Sequence, residues 1–247
     1  MDASGEPTPS GTELLDQDLV FLDCEMTGGD PDRNDIIEIG VVRTRLPELA
    51  VLGELSLKVA PRSMRGANAQ SIRIAGYSPK EWKAAVPVDE ALRSLQVFAA
   101  DGVLVGWATY NDLLFMLATA ERVGVAGLVG EAYIELQDWA QRRFELPRSP
   151  GLQRIADQLK IVRDQEHSAI EDALVTYEVF RMLWRYGPDE FAAAAAALDW
   201  DSYAELTGPI TLTPAEVESR RVELARHVVA GTSRAELLAR RSSYHRG

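Results

Sequence analysis

Short apolar runs and helical periodicities alternate along the chain, and their order predicts the layers of the fold. "LVFLDC" and "DIIEIGVV" read as strands, and "VLGELSLKVA" alternates as a half-buried third strand does. Together they predict an antiparallel opening meander. In "DEALRSLQVFAADG", Ala91, Leu92, Leu95, Phe98 and Ala99 share one helical face, with Asp89 as N-cap and Gly102 just past the end. "GVLVGW" is apolar enough for a buried strand, and "NDLLFMLATAERVGV" after it reads as a helix. A weaker strand near "AYIEL", a helix in "SPGLQRIADQLKI" and the long helix "SAIEDALVTYEVFRMLW" follow. Three strands followed by alternating helices and strands predict a mixed sheet with helices on both faces.

The two ends of the chain differ from this pattern. Residues 1–16, rich in Ser, Thr, Pro and Gly, read as a disordered leader. Residues 187–247 read as a helical C-terminal extension. "FAAAAAALDW" is helix-prone, and "TPAEVESRRVELARHVVAG" carries Thr213 as N-cap, Pro214 at the first helical position and Glu216 two residues on, a capping box. Ser233 and Glu236 repeat the signal after a turn at Gly231.

Composition narrows the function classes. A net charge of −12 and a pI near 4.8 exclude a broad basic face that coats nucleic acid, so any such contact is local. The acids are concentrated, with eight and no Lys or Arg in residues 1–30, so part of the acid excess is functional if cations bind there. No apolar run approaches the ~20 residues of a membrane span, and the single cysteine, Cys24, suits a reducing compartment. The expectation is a cytoplasmic protein.

The candidate chemistry begins at Asp23 and Glu25. Alternate residues of a strand share a face, so the two carboxylates project together while Cys24 points the other way. Two acids so close repel each other unless a cation lies between them, and Gly28 and Gly29 place them at a strand-to-turn edge. Asp112 lies at a second strand-to-helix junction and Asp172 near the start of the last long helix. His167 and Asp172, five apart, would be separated by about 140° on one helix. Ser168 and Glu171 form the pattern of a capping box, which leaves His167 outside the helix and free to turn toward Asp172. A neutral imidazole there has the form a general base needs.

These residues carry a family resemblance. "FLDCEMTG", the aspartate of "VGWATYND" and "HSAIED" match, in order and spacing, the three motifs of the DEDDh, or DnaQ-like, 3′-to-5′ exonucleases. The match spans roughly residues 18–186, with a domain expected over 17–186, and "DCEMTGGDPDRNDIIEIGVV" is most similar to the oligoribonuclease branch. The resemblance implies a ribonuclease H-like three-layer α/β/α sandwich with a mixed five-stranded sheet. It implies two Mg²⁺ or Mn²⁺ ions held by Asp23, Glu25, Asp112 and Asp172, with His167 as general base and nucleoside 5′-monophosphates as products. Met26 and Thr27 fall where the family's first-motif loop contacts the 3′-terminal nucleotide.

The second motif departs from the family's G-H-N-x-x-F-D. Here only Gly106 and the final Asp112 survive, and Trp107 is either a base-stacking side chain or core packing. Three functions fit. One is an exonuclease on single-stranded DNA or RNA 3′ ends or short oligonucleotides. Another is a proofreading subunit docked to a polymerase partner through the C-terminal helices. The last is an inactive nuclease-like binding module. The capped pair around Gly231 leaves open a helix-turn-helix, although a partner-docking or homodimerisation arm suits its Arg- and Glu-rich surface better.

Overall fold

The computed structural model describes residues 16–130, 132–146, 148–161, 168–187 and 208–244. Its frame is a six-stranded mixed sheet. β1 (Leu19–Met26), β2 (Ile36–Arg45) and β3 (Ala50–Lys58) form the predicted antiparallel meander. β4 (Val103–Gly106) and β5 (Ala132–Glu135) extend it in parallel beyond β1, and β6 (Val228–Ala230) closes that edge antiparallel to β5. The spatial order is β3-β2-β1-β4-β5-β6.

The helices are α1 (Ala69–Ile74), α2 (Val88–Ala99), α3 (Tyr110–Val123), α4 (Leu136–Arg143), α5 (Leu152–Gln158), α6 (Ala169–Arg185), α7 (Pro214–Ala225) and α8 (Arg234–Tyr244). β1 explains the layering. It is central, so both of its faces must be covered, and its first four residues are an unbroken buried apolar run. Leu19 and Phe21 pack in one layer with Trp139 of α4, Ile155 of α5 and Phe180 of α6. Val20, Leu22 and Cys24 pack in the other with Leu92 of α2, Leu113 of α3 and Leu237 of α8. Phe180 meets Phe21 and Trp139 edge-on, at 5.2 and 5.4 Å between ring centroids, the arrangement that aromatic quadrupoles favour.

Two expectations are corrected. The sheet has six strands rather than five, because the C-terminal region is not wholly helical. α7 stops at Ala225 and "VVA" becomes β6. Local sequence favours continuing the helix, but β5 otherwise presents an open edge of unpaired amides and carbonyls, and the β-branched Val228 and Val229 suit a strand. Asp89 is not an N-cap. α2 begins two residues earlier, at Val88, with Pro87 in that place, and Asp89 lies in the first turn, where the helix dipole favours an acid. In addition, α4 follows β5 directly, in residues for which the sequence pattern predicted no element. The capping box at Thr213 and Glu216 forms as expected. Except for Asp16, the predicted leader lies outside the described residues, as does "FAAAAAALDW". Among the described residues, no helix is long and apolar enough to cross a membrane.

Candidate active site

The carboxyl ends of the parallel neighbours β1 and β4 open between α3 and α6, the place where open α/β sheets gather functional groups. β1 ends in its two acids. Asp23 and Glu25 continue the face of Leu19 and Phe21 toward α6, whereas Cys24 is buried in the opposite layer.

Asp172 comes from the first turn of α6, and this helix approaches unusually closely. Gly40 on β2 is the register partner of Asp23. A Cβ on Gly40 would lie only 2.1 Å from the carbonyl carbon of Ala169. Only glycine lets the start of α6 settle on the strand there. Ligand oxygens of Asp23, Glu25 and Asp172 consequently lie within 4.8 Å of one another. Gln153 of α5 orients Asp172, donating from Nε2 to Oδ1 at 2.8 Å.

Asp112 arrives from the other layer. β4 ends at Gly106, and the last β1–β4 pair is Phe21 with Val105. Beyond it the Cys24 amide would lack a strand partner, and it donates to Asp112 Oδ1 at 3.1 Å. Thr109 is buried, and the turn before α3 is further held by Glu135, whose Oε1 accepts the Ala108 amide at 2.9 Å. Ala108 adopts φ of +55°, a left-handed conformation that this clamp maintains.

The electrostatics are those of crowded carboxylates. Burial pushes Asp23 well above the usual carboxylate range, and Asp112, Asp172, Glu25 and Glu38 push it further. Glu25 rises to about 8, through burial first and then Asp172, Glu38 and Asp112. Asp112 also rises to about 8 through burial, against the opposing pull of the Cys24 amide. An all-oxygen donor set whose members mutually discourage ionisation fits hard divalent cations such as Mg²⁺ or Mn²⁺.

The remaining predicted residues are placed as follows. Met26 is half-buried against the α3 layer, and Thr27 is fully buried, its hydroxyl accepting the Asp35 amide at 2.9 Å. Trp107 lies in the core, and its indole nitrogen donates to the Pro150 carbonyl at 3.1 Å. His167 lies outside the described residues. Ser168 occupies the N-cap with extended dihedrals, but its hydroxyl makes no cap bond, so the capping box with Glu171 does not form. Ser168 is buried, and its backbone carbonyl accepts the first regular hydrogen bond of α6, from the Asp172 amide at 2.9 Å.

Sequence reasoning missed Glu38 and Gly40. Glu38 is paired across the strands with Glu25, is buried, and faces Lys58 on its other side. The signal was an acid and a glycine inside the apolar run "DIIEIGVV".

Comparisons with known proteins agree with this geometry. The exonuclease family model named RNase T matches residues 20–180. The PolC-type DNA polymerase III of Thermotoga maritima is 29% identical over 166 residues, covering 67% of this chain but only 12% of that protein. The oligoribonuclease of Tropheryma whipplei is 31% identical over 120 residues, 44% of this chain and 61% of that one. Thus the chain spans a small part of its polymerase relatives and somewhat under two thirds of the oligoribonuclease. Among solved structures, the nuclease domain of 3′hExo, a DEDDh family member bound to rAMP, has a TM-score of 0.58 at 17% identity, covering 68% of this chain and 92% of that one. Exonuclease I of E. coli in complex with a dT13 oligonucleotide has a TM-score of 0.59 at 16% identity, with coverages of 76% and 46%. At such identities the structural likeness concerns the fold, while the family match rests on the sequence over more than half of the chain. The family match leads to the conclusion: the chain belongs to the exonuclease family, consistent with the DEDDh, DnaQ-like resemblance of its motifs.

Proposed function

We propose that this chain is a metal-dependent 3′-to-5′ exonuclease that trims single-stranded nucleic acid ends or short oligonucleotides to nucleoside 5′-monophosphates. The observation that carries this reading is the convergence of Asp23, Glu25 and Asp172 within 4.8 Å, with Asp112 acting on the same carboxylates.

Asp23, Glu25, Asp112 and Asp172 would hold two Mg²⁺ or Mn²⁺ ions, and formal charge supports that number, since four carboxylates balance two divalent cations. Held by these carboxylates, such ions would supply charge neutralisation for the phosphodiester and a stronger water nucleophile. Gln153 keeps Asp172 facing the cluster. His167, directly before the N-cap of α6, takes the proton of the attacking water in this proposal, and Met26 receives the 3′-terminal nucleotide on the loop that the buried Thr27 anchors to Asp35. Trp107, with its indole hydrogen committed to Pro150, serves the core rather than base stacking in this scheme.

The test incubates purified protein with 5′-labelled single-stranded DNA, RNA and dinucleotides in Mg²⁺, Mn²⁺ or EDTA, alongside Asp23→Ala and His167→Ala. Stepwise shortening from the 3′ end that EDTA abolishes is expected. Absence of metal-dependent shortening on every substrate would refute the reading and favour a nuclease-like binding module. The PolC-type relatives support a second reading, proofreading beside a polymerase, which predicts efficient DNA digestion only when a polymerase is added. Preference for dinucleotides would select an oligoribonuclease-like role.

A further inference from the structure

The C-terminal unit returns first to the sheet and then to the site. β6 pairs with β5, Tyr133 facing Val229, and the chain turns at Gly231, where φ is +91°. Ser233 and Glu236 then cap α8 reciprocally, Ser233 N–H donating to Glu236 Oε2 at 3.0 Å. Leu237 is buried in the α3 layer, so α8 lies against α3. From that position its arginines reach the loop that follows Glu25.

Arg241 donates from Nη2 to the Gly29 carbonyl at 2.6 Å, and Arg234 pairs with Asp32. Between those points, Arg122 of α3 donates to the Pro31 carbonyl at 2.7 Å. At its base the loop closes on itself, Thr27 N–H donating to the Asp35 carbonyl at 2.8 Å. Just beyond that base the loop has Gly28 and Gly29, a residue type whose backbone has many conformations to choose among. External tethers remove that freedom.

We propose that α8 is a positioning element of the nuclease site, with Arg241 and Arg234 holding the loop 27–35, and through it Met26, in the geometry that receives a 3′-terminal nucleotide. The kinetic consequence rests on the exonuclease reading; the effect on the loop does not. Asp23 and Glu25 stand on β1 and Asp112 and Asp172 on α3 and α6, so loosening the loop weakens substrate binding more than chemistry. KM rises while kcat stays.

The experiment compares the full chain with the Arg234→Ala/Arg241→Ala double variant. Hydrogen exchange of the loop amides should accelerate at least tenfold with β1 and β2 unchanged. KM for a short single-stranded oligonucleotide should rise three- to tenfold with kcat within twofold, and the dependence of log KM on log salt should keep its slope. Exposed ion pairs add little global stability, so the melting midpoint should move by no more than about 2 °C. If the double variant fails to melt cooperatively, Asp32→Asn removes one tether from the loop side and is read in the same way. Unchanged loop exchange, or unchanged KM beside faster exchange, overturns the proposal. A KM rise whose salt slope falls by roughly 0.7 per arginine also overturns it, because the arginines would then be contacting substrate phosphates directly. Wild-type protein without nuclease activity refutes the exonuclease reading instead, and loop exchange alone then decides whether α8 holds the loop.

Discussion

Replacing Gly40 with alanine tests whether the close approach of α6 to β2 builds the active site. The added Cβ would stand 2.1 Å from the carbonyl carbon of Ala169 and 2.2 Å from the amide nitrogen of Ile170. Carbon atoms rest against each other at about 3.5 Å, so the start of α6 must retreat by about 1.4 Å or β2 must bow away. Both opposing atoms are backbone, and no side-chain rotation relieves the contact. Overpacking a well-filled core costs about 1–3 kcal/mol, and a backbone collision belongs at the upper end. The functional loss should exceed the stability loss, because Asp172 sits within a turn of the collision and moves with the helix. A displacement near 1 Å in such a constellation costs on the order of 100-fold in rate. Single-turnover cleavage of a 5′-labelled oligonucleotide, with Mn²⁺ titrated, would measure both rate and metal affinity, and both should fall. Gly53→Ala is the control, since its Cβ would meet only the Phe98 ring at 3.4 Å. If Gly40→Ala keeps half of the wild-type rate with unchanged metal affinity and melting, the reasoning fails.

Four further outcomes are expected. Asp23→Asn should lower cleavage at least ~1000-fold, yet in EDTA its melting midpoint should equal or exceed that of wild type, because a desolvated carboxylate among like charges has been removed. In metal-free protein, Glu25 and Asp112 hold protons up to about pH 8 that the unfolded chain releases near 4. The stability they contribute is therefore present below pH 4 and is lost as pH rises through 8, and a melting series from pH 6 to 9 should fall in EDTA but stay flat with Mn²⁺. Burial and Arg142 lower His227 to about 4 against the Trp139 ring, so its stabilisation disappears as pH falls from 6.5 through 4, on the order of 3 kcal/mol. His227→Phe should flatten that acid limb in denaturant titrations. Glu223 accepts from Trp139 Nε1 at 3.0 Å and from Arg143 at 2.6 Å, with the arginine side chain only 5% exposed, so Glu223→Ala should cost roughly 3 kcal/mol by chemical denaturation.

Local pattern carried much of the fold. The apolar runs at β1, β2 and β4 and the periodicity of α3 and α6 are long enough that burial and local preference agree, so their type was readable. Asp23, Glu25, Asp112 and Asp172 were readable as candidates because each sits at the end of such an element. β6 was not, since three residues after a capped helix have no local reason to extend. The start of α2 misled because Asp89 is a better capping residue than Pro87, but the chain entering from Val86 is already extended. Ser168 does stand at the N-cap, but its side-chain capping bond is absent, since tertiary contact with Gly40 positions that helix start and the serine is buried.

By itself, then, the sequence determined which residues are chemically able to form a cation site and on which elements they ride, because period and charge are local properties. Only tertiary structure decided that three of those acids share a 4.8 Å cluster, that Glu38 stands beside them and that α8 returns to grip the loop after Glu25. Each depends on pairings between residues far apart in the chain: Gly40 yielding space to Ala169, β6 completing the β5 edge, and Arg241 reaching Gly29. Such pairings are selected by the packing of whole layers, and no window of sequence contains them.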